Sequence, residues 1–210
     1  MKTFSRRAGF LGALLLALAP ALQAAEPAVD NSTPQKLIES SSKLLLANLD
    51  ANRAAYRKDI NGLYKVIDTK FLPHVDVAFA AQQVLGKHWR TATPEQRKRF
   101  TDTFYRSLLT TYGTALLDFT GDQMKVLPFQ GDPAADRASV RTTIRMATGG
   151  DVSVAYSLRK DAAGTWKVWD VVIEGISYVK SFREDFGLEI DQKGLDALLT
   201  RLEAGQLKVK

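Results

Sequence analysis

Few residues in this chain have the type and spacing that catalysis needs. The histidines are His74 and His88, and neither has a second ligand at metal spacing. There is no cysteine, which excludes thiol catalysis, thiolate metal sites and lipidation at a cysteine. No phosphate-cradling glycine loop and no Gly-x-Ser-x-Gly elbow occurs. Asp170 is the one suggestive acid. It sits between Trp169 and Val171 in a run nearly free of charge, where burial would raise its pKa and make it a candidate base. Its alternative role is to accept hydrogen bonds from backbone or a neighbouring cation. The basic groups also carry two readings. Arg97, Lys98 and Arg99, and the strand residues Arg141, Arg145 and Arg159, are either solvated charges or the contacts of an acidic partner or a phosphate headgroup.

The elements that position these residues centre on 84–116. Thr93, Pro94 and Gln96 spell a capping box with proline at the first helical position. At about 100° per residue, Phe100, Phe104, Leu108, Tyr112, Ala115, Leu116 and Phe119 fall on one half of the cylinder. Arg99, Asp102, Thr103, Arg106, Ser107, Thr110 and Thr114 fall on the other. An apolar stripe of a little over 100° suffices for an ordinary surface helix. This one is wider and rich in aromatics, so it faces either a large core or the wall of a ligand cavity.

A length of 210 residues suits one domain or two small ones. Residues 1–24 read as a secretory signal peptide. Lys2, Arg6 and Arg7 are its positive end, 8–22 its uncharged apolar run, and cleavage is expected after Ala21 or Ala24. Without the leader, 26 basic side chains stand against 23 acidic ones, a net of +3. That is too little for a nucleic-acid binder. No second apolar run is long enough to cross a membrane.

Residues 34–58 read as a helix by the same Thr-Pro logic. A short helix near 60–67, a hinge at 71–76, a helix over 75–85 ended by Gly86, and the central helix stopping near Gly121 follow. The period then changes to 2. Strands are expected at 124–130, 138–146, 152–159 and 166–173, with a hairpin turn at Gly149-Gly150. In the last strand Trp166, Val168 and Val172 are assigned to one face, Trp169, Val171 and Ile173 to the other. Two helices, 178–186 and 192–204, close the chain, and the basic end 208–210 is expected to fray. The fold class is therefore α+β, a curved antiparallel four-stranded sheet packed on one face against several helices.

Several of these stretches together resemble a known family. They are Phe71-Leu72-Pro73-His74-Val75-Asp76, Val84-Leu85-Gly86, Trp89, Ala92-Thr93-Pro94-Glu95-Gln96-Arg97, Phe100 and Tyr112. The likeness continues at Trp166-Lys167-Val168-Trp169-Asp170-Val171, Glu174-Gly175-Ile176-Ser177, Arg183 and Phe186. The chain resembles the MlaC family of periplasmic phospholipid-binding proteins, also called toluene-tolerance or Ttg2-type auxiliary transport proteins. His74 and Trp169 depart from the tyrosines usual at those places. The resemblance implies one domain over 25–210 (helices 34–120, strands 124–174, helices 178–204) with an apolar cavity between sheet and helices. It implies a periplasmic, monomeric shuttle with no catalytic residue, metal or cofactor, whose cargo is phospholipid. Its implied partners are an inner-membrane ABC transporter with an MCE-domain subunit and an outer-membrane lipoprotein–porin complex. The implied role is to maintain outer-membrane lipid asymmetry.

On that reading the tail-contacting set includes, from the helices, Val75, Phe79, Val84, Leu85, Trp89, Phe100, Phe104, Leu108, Tyr112 and Phe182. From the strands it includes Val140, Ile144, Val154, Tyr156, Trp169 and Val171. Some of these are plain core. The moving parts are expected near Pro73 or Gly175. Two rival readings stand beside it: an isomerase or dehydratase with Asp170 as base and Tyr105 or Tyr156 as acid, and a ligand-free interaction module.

Overall fold

A computed structural model describes residues 28–120, 123–132, 134–146 and 149–207. The leader at 1–24, the stop at Gly121 and the tail at 208–210 lie outside them. The helices are α1 (Pro34–Lys58), α2 (Ile60–Val66), α3 (Val77–Leu85), α4 (His88–Thr91), α5 (Pro94–Tyr112), α6 (Tyr178–Lys193) and α7 (Leu195–Glu203). The strands are β1 (Met124–Val126), β2 (Arg137–Arg145), β3 (Asp151–Lys160), β4 (Trp166–Ile173) and β5 (Ile176–Ser177).

The two long helices start as their caps dictate. The Thr33 hydroxyl accepts the Lys36 N–H at 3.1 Å. At α5 the Thr93 hydroxyl accepts the Gln96 N–H at 3.2 Å, and the Gln96 side chain accepts the Thr93 N–H at 3.0 Å. Two of the four orphan donors of the helix end are satisfied in this way. α5 ends earlier than its periodicity suggests. It tightens at Gly113 into a 3-10 segment, Gly113–Asp118. A Cβ at Gly113 would lie 2.8 Å from the Tyr64 ring, so only glycine lets the end of α5 come this close to α2. The helix expected over 75–85 begins at Val77, because Asp76 is its cap: its carboxylate accepts the Phe79 N–H at 3.0 Å. α6 runs to Lys193, well past the expected 186, and Gly194 (φ +84°) separates it from α7.

All five strands pair antiparallel in chain order. Four were expected; the fifth, β5, is two residues long and pairs Ile176 with Ile173. β1 stops at Val126, since Pro128 has no N–H to continue the ladder. β4 carries a bulge that strict alternation does not reveal. Ser157 pairs with Asp170 but Leu158 with Val168, so Trp169 is the extra residue. The bulge reverses part of the expected facing. Val171 pairs with Tyr156 and Ile173 with Val154, which places them on the face of Val168 rather than opposite it. Asp170 and Val172 take the other face.

The buried side chains form three clusters rather than one. The first joins α3, α5, α6 and α7 through Val84, Leu85, Phe100, Phe104, Phe182, Phe186, Leu198 and Leu199. The second joins the start of α1 to the sheet through Leu37, Ile38, Val140, Leu158 and Trp166. The third joins the end of α1 to α2 and the 3-10 segment through Leu49, Tyr56, Leu63 and Leu117. β4 feeds two of them. Trp166 sits in the second cluster, while Trp169 packs on the first, so helices meet this strand on both faces, as expected of a strand apolar on both sides.

Candidate functional site

The face of the sheet that meets α1 is made by Ala138, Val140, Thr142 and Ile144 of β2, Val152, Val154, Tyr156 and Leu158 of β3, and Val168, Val171 and Ile173 of β4. Interior strands of a filled core are normally buried along this face. Here Val140, Thr142, Val154 and Leu158 are buried, but Ile144, Val152, Tyr156, Val168, Val171 and Ile173 keep part of their surface accessible. α1 is held at its two ends. Leu37 and Ile38 seat its start on the sheet, and Leu49 and Tyr56 seat its end on α2 and the 3-10 segment. Arg53 and Arg57 reinforce that end by donating to the carbonyls of Leu117 and Phe119 and to the carboxylate of Asp118. Between these supports Ser41, Leu44 and Asn48, on the turns that continue the Leu37 face, are only half-buried. These half-buried apolar side chains are therefore not covered by neighbouring protein atoms over their whole surface.

The sixteen expected tail-contacting residues divide accordingly. Val84, Leu85, Phe100, Phe104 and Phe182 are interior members of the helical cluster, with Trp89, Leu108 and Trp169 packed on its rim. Phe79 meets Trp169 edge-to-face at 5.3 Å. Val140 belongs to the second cluster, and Tyr156 packs against it. Val154, Ile144 and Val171 lie on the inward sheet face. Val75 and Tyr112 are each 39 % exposed. The structure therefore does not bring all sixteen to one place. The strand residues other than Trp169 share a face, whereas five of the helical residues pack on one another. Val152, which pairs with Ile144, and Ile173, which pairs with Val154, lie on the same face and are not among the sixteen. Ser107, assigned to the polar half of α5, is 3 % exposed and donates to the Leu202 carbonyl at 3.3 Å, where a small side chain lets α7 approach. Two open surface hollows, of about 320 and 520 Å³, take in Trp169 and none of the other fifteen.

Two of the groups named for the enzyme reading, Asp170 and Tyr105, are engaged in structural contacts. Asp170 is 6 % exposed and fully occupied: one oxygen accepts the Val179 N–H at 3.0 Å, the other the Ser177 hydroxyl at 2.6 Å. It ties β4 to the start of α6. The Tyr105 hydroxyl donates to Asp68, and burial with that bond pushes its pKa well above the usual phenol value. An acid held this way is a poor proton donor. Asp170→Asn keeps one acceptor oxygen for Val179. We expect it to lower stability by about 1 kcal/mol, seen as a lower urea midpoint, with lipid content unchanged.

The hinge expected near Pro73 is fastened to the sheet. The Asp76 N–H donates to the Val168 carbonyl at 2.8 Å, Lys167 donates to the Pro73 carbonyl, and Arg159 meets the Asp76 carboxylate at 2.5 Å. The Gly175 turn is fastened as well: beside it Glu174, at φ +49°, donates its N–H to the Ser153 carbonyl at 2.9 Å and accepts the Ser153 N–H on its carboxylate. His74 lies in the fastened segment with Nδ1 buried and unpartnered. Burial, then the Lys167 charge, lowers its pKa from 6.5. The folded state therefore binds fewer protons than the unfolded chain just below pH 6.5, and stability falls as pH drops through that window. His74→Gln should flatten this acid-side slope in urea midpoints measured between pH 7 and pH 5.

One end of the sheet carries exposed apolar side chains. β2 ends there at Ile144 and Arg145, followed by Met146 (39 % exposed); β3 starts with Asp151, which pairs with Arg145, and Val152; β4 ends at Ile173; and Ile176 is 62 % exposed. Tyr178 follows β5 and meets Tyr112 at 6.1 Å between ring centroids. From Tyr178 the rings continue inward through Phe182 (6.2 Å) to Phe104 (5.1 Å). The opposite end is closed by the second cluster, with Val29 and Phe129 packed on it.

Comparisons with known proteins agree with this architecture. The family model described as MlaC protein matches residues 39–204. The toluene tolerance protein ttg2D of Pseudomonas putida is 34 % identical over 184 residues, which cover 87 % of this chain and 82 % of that one. The intermembrane phospholipid transport system binding protein MlaC of Haemophilus influenzae is 24 % identical over 178 residues, 84 % of this chain and 83 % of that one. A phospholipid-binding protein from Ralstonia solanacearum, solved in complex with a phospholipid, superposes with a TM-score of 0.76 at 25 % identity, covering 83 % of this chain and 97 % of that one. Sequence match along most of its length and a shared fold place this chain in the MlaC family.

Proposed function

We propose that this chain is a phospholipid carrier without catalytic activity. It holds acyl tails between α1 and the inward face of the sheet, and it works in the periplasm between the outer and inner membranes. The observation that carries the reading is the half-buried row Ile144, Val152, Tyr156, Val171 and Ile173 on interior strands. A solvent-filled gap against such a row would be unfavourable, and hydrocarbon is the occupant that removes it. Each buried CH₂ contributes about 0.8 kcal/mol, so a chain of about fifteen carbons supplies roughly 12 kcal/mol before the entropy of ordering it. The phospholipid complex of the Ralstonia relative supports the same cargo.

Entry is at the apolar end of the sheet, past Met146, Ile176 and Tyr112, with the headgroup left near solvent. Family membership supports the two docking partners, an inner-membrane ABC transporter with an MCE-domain subunit and an outer-membrane lipoprotein–porin complex. Among the described residues no helix is long and apolar enough to cross a membrane, which suits a carrier that must leave one membrane to reach another. The test is organic extraction of purified protein followed by mass spectrometry. About one or more phospholipids per chain is the expected yield. A ligand-free interaction module would yield none, and that outcome would overturn the reading.

A further inference from the structure

The inward face of the sheet is not uniformly apolar. Thr142 and Tyr156 place two hydroxyls on it, and among the described residues of that face between Ala138 and Ile173 they are the side-chain polar groups near its middle. Thr142 is 0 % exposed and already committed, since its hydroxyl donates to the Val154 carbonyl at 3.0 Å. Tyr156 is different. It lies deep enough that burial raises its phenol pKa, yet part of its surface remains accessible. Its phenol lies beside the Thr142 hydroxyl. Tyr156 pairs directly with Val140, and Thr142 is one pair nearer the Ile144–Val152 end. The ring therefore leans toward the apolar end of the sheet, and its oxygen sits at the level of Thr142 and Val154. That level is two residues, or roughly 7 Å, inside the last apolar pair.

Thr142 shares a hydrogen bond with that phenol, and an occupant that also brings an acceptor to it adds a second bond in a low-dielectric setting. An otherwise apolar ligand with a hydrogen-bond acceptor a few ångströms below its exposed polar end has one common form: acyl chains joined to a glycerol by esters. We propose that the Tyr156 hydroxyl, backed by Thr142, is the specificity-determining contact that recognises the ester linkage of the cargo and sets how deep the tails descend. This rests on the carrier reading. An ether oxygen is a much weaker acceptor than an ester carbonyl, so the contact distinguishes diacyl from dialkyl phospholipids of equal chain length and headgroup.

The experiment loads delipidated protein from vesicles of equimolar diester and diether phosphatidylglycerol of matched chains, then quantifies the retained lipid by mass spectrometry. Wild type is expected to retain the diester roughly three- to tenfold over the diether, the worth of one hydrogen bond. Tyr156→Phe, which keeps the ring and loses only the hydroxyl, should bring the ratio to within about twofold of one. An unchanged thermal midpoint shows that the variant is folded. If it is not, Thr142→Val, nearly the same in shape, should lower the same ratio by loosening the phenol. An equal uptake of both lipids by wild type, or a preference that survives in Tyr156→Phe, overturns the proposal while leaving the carrier reading intact. No uptake of either lipid overturns the carrier reading itself.

Discussion

Val171→Asp should empty the protein. Purified wild type is expected to carry about one phospholipid or more per chain, and the variant less than a tenth of that. Val171 pairs with Tyr156 on the inward face, lies on an interior strand and belongs to none of the three buried clusters. Its methyl groups border the proposed tail space without carrying the fold. A carboxylate there has no cation on the same face of β4, whose other members are Trp166, Val168 and Ile173. Burying an unpaired charge against hydrocarbon costs several kcal/mol. Water entering to solvate it would displace the tails, and a loss of even 3 kcal/mol is more than a hundredfold in affinity. Ser139→Asp is the control. It puts the same charge on the exposed outer face of the sheet, and its lipid content should match wild type. Equal lipid in Val171→Asp and wild type would show that the tails lie elsewhere.

The largest loss of stability is expected from Phe104→Ala. Phe104 is 3 % exposed and stacks on Phe100 at 5.4 Å with an 8° angle between the rings. It also meets Phe182 and Phe186 edge-to-face at 5.1 and 6.0 Å. Removing a phenyl ring from such a site costs about 3–5 kcal/mol, the lost transfer energy plus the cavity left behind. Offset and edge-to-face pairs add about 0.5–1.5 kcal/mol each beyond burial, so the upper part of the range applies. For a chain of this size the melting midpoint should fall by roughly 6–20 °C. The four rings come from α5 and α6, and α7 packs over them through Leu198, Leu199 and Leu202. The loss is one of fold rather than of lipid contact. A midpoint within about 2 °C of wild type would mean that the site collapses to fill the gap.

That contrast bears on what could be read before the structure. On α5, the apolar periodicity located Phe100, Phe104 and Leu108 on one face, and the face is there. Its width suggested either a core or a cavity wall. α6 and α7 settle the matter for Phe100 and Phe104, since Phe182, Phe186 and Leu199 fill the space they face. Helical partners so distant in sequence leave no trace in the spacing of α5. The strands tell the reverse story. Alternation marked Val140, Ile144, Val154 and Tyr156 correctly, because a period of 2 is set by the pleat itself. It misassigned Val171 and Ile173, because the bulge at Trp169 is decided by pairing with β3. A bulge shifts every side chain beyond it to the other face.

By itself the sequence determined the elements, their caps and the family. Thr-Pro starts, glycine stops and the change of period from 3.6 to 2 are local, and each acts through the few residues beside it. The lack of cysteine and of a second ligand at metal spacing from either histidine was also legible, because both are matters of composition and spacing. Only the tertiary structure decided that Asp170 is a tie between β4 and α6, that the segment around Pro73 is fastened to β4, and that Val84, Leu85, Phe100, Phe104 and Phe182 pack together in one buried helical cluster. Each of these depends on what lies opposite a side chain in space. Burial and hydrogen-bond partnership are properties of pairs brought together by the fold, and the residues that supply the partners lie on other elements of the chain.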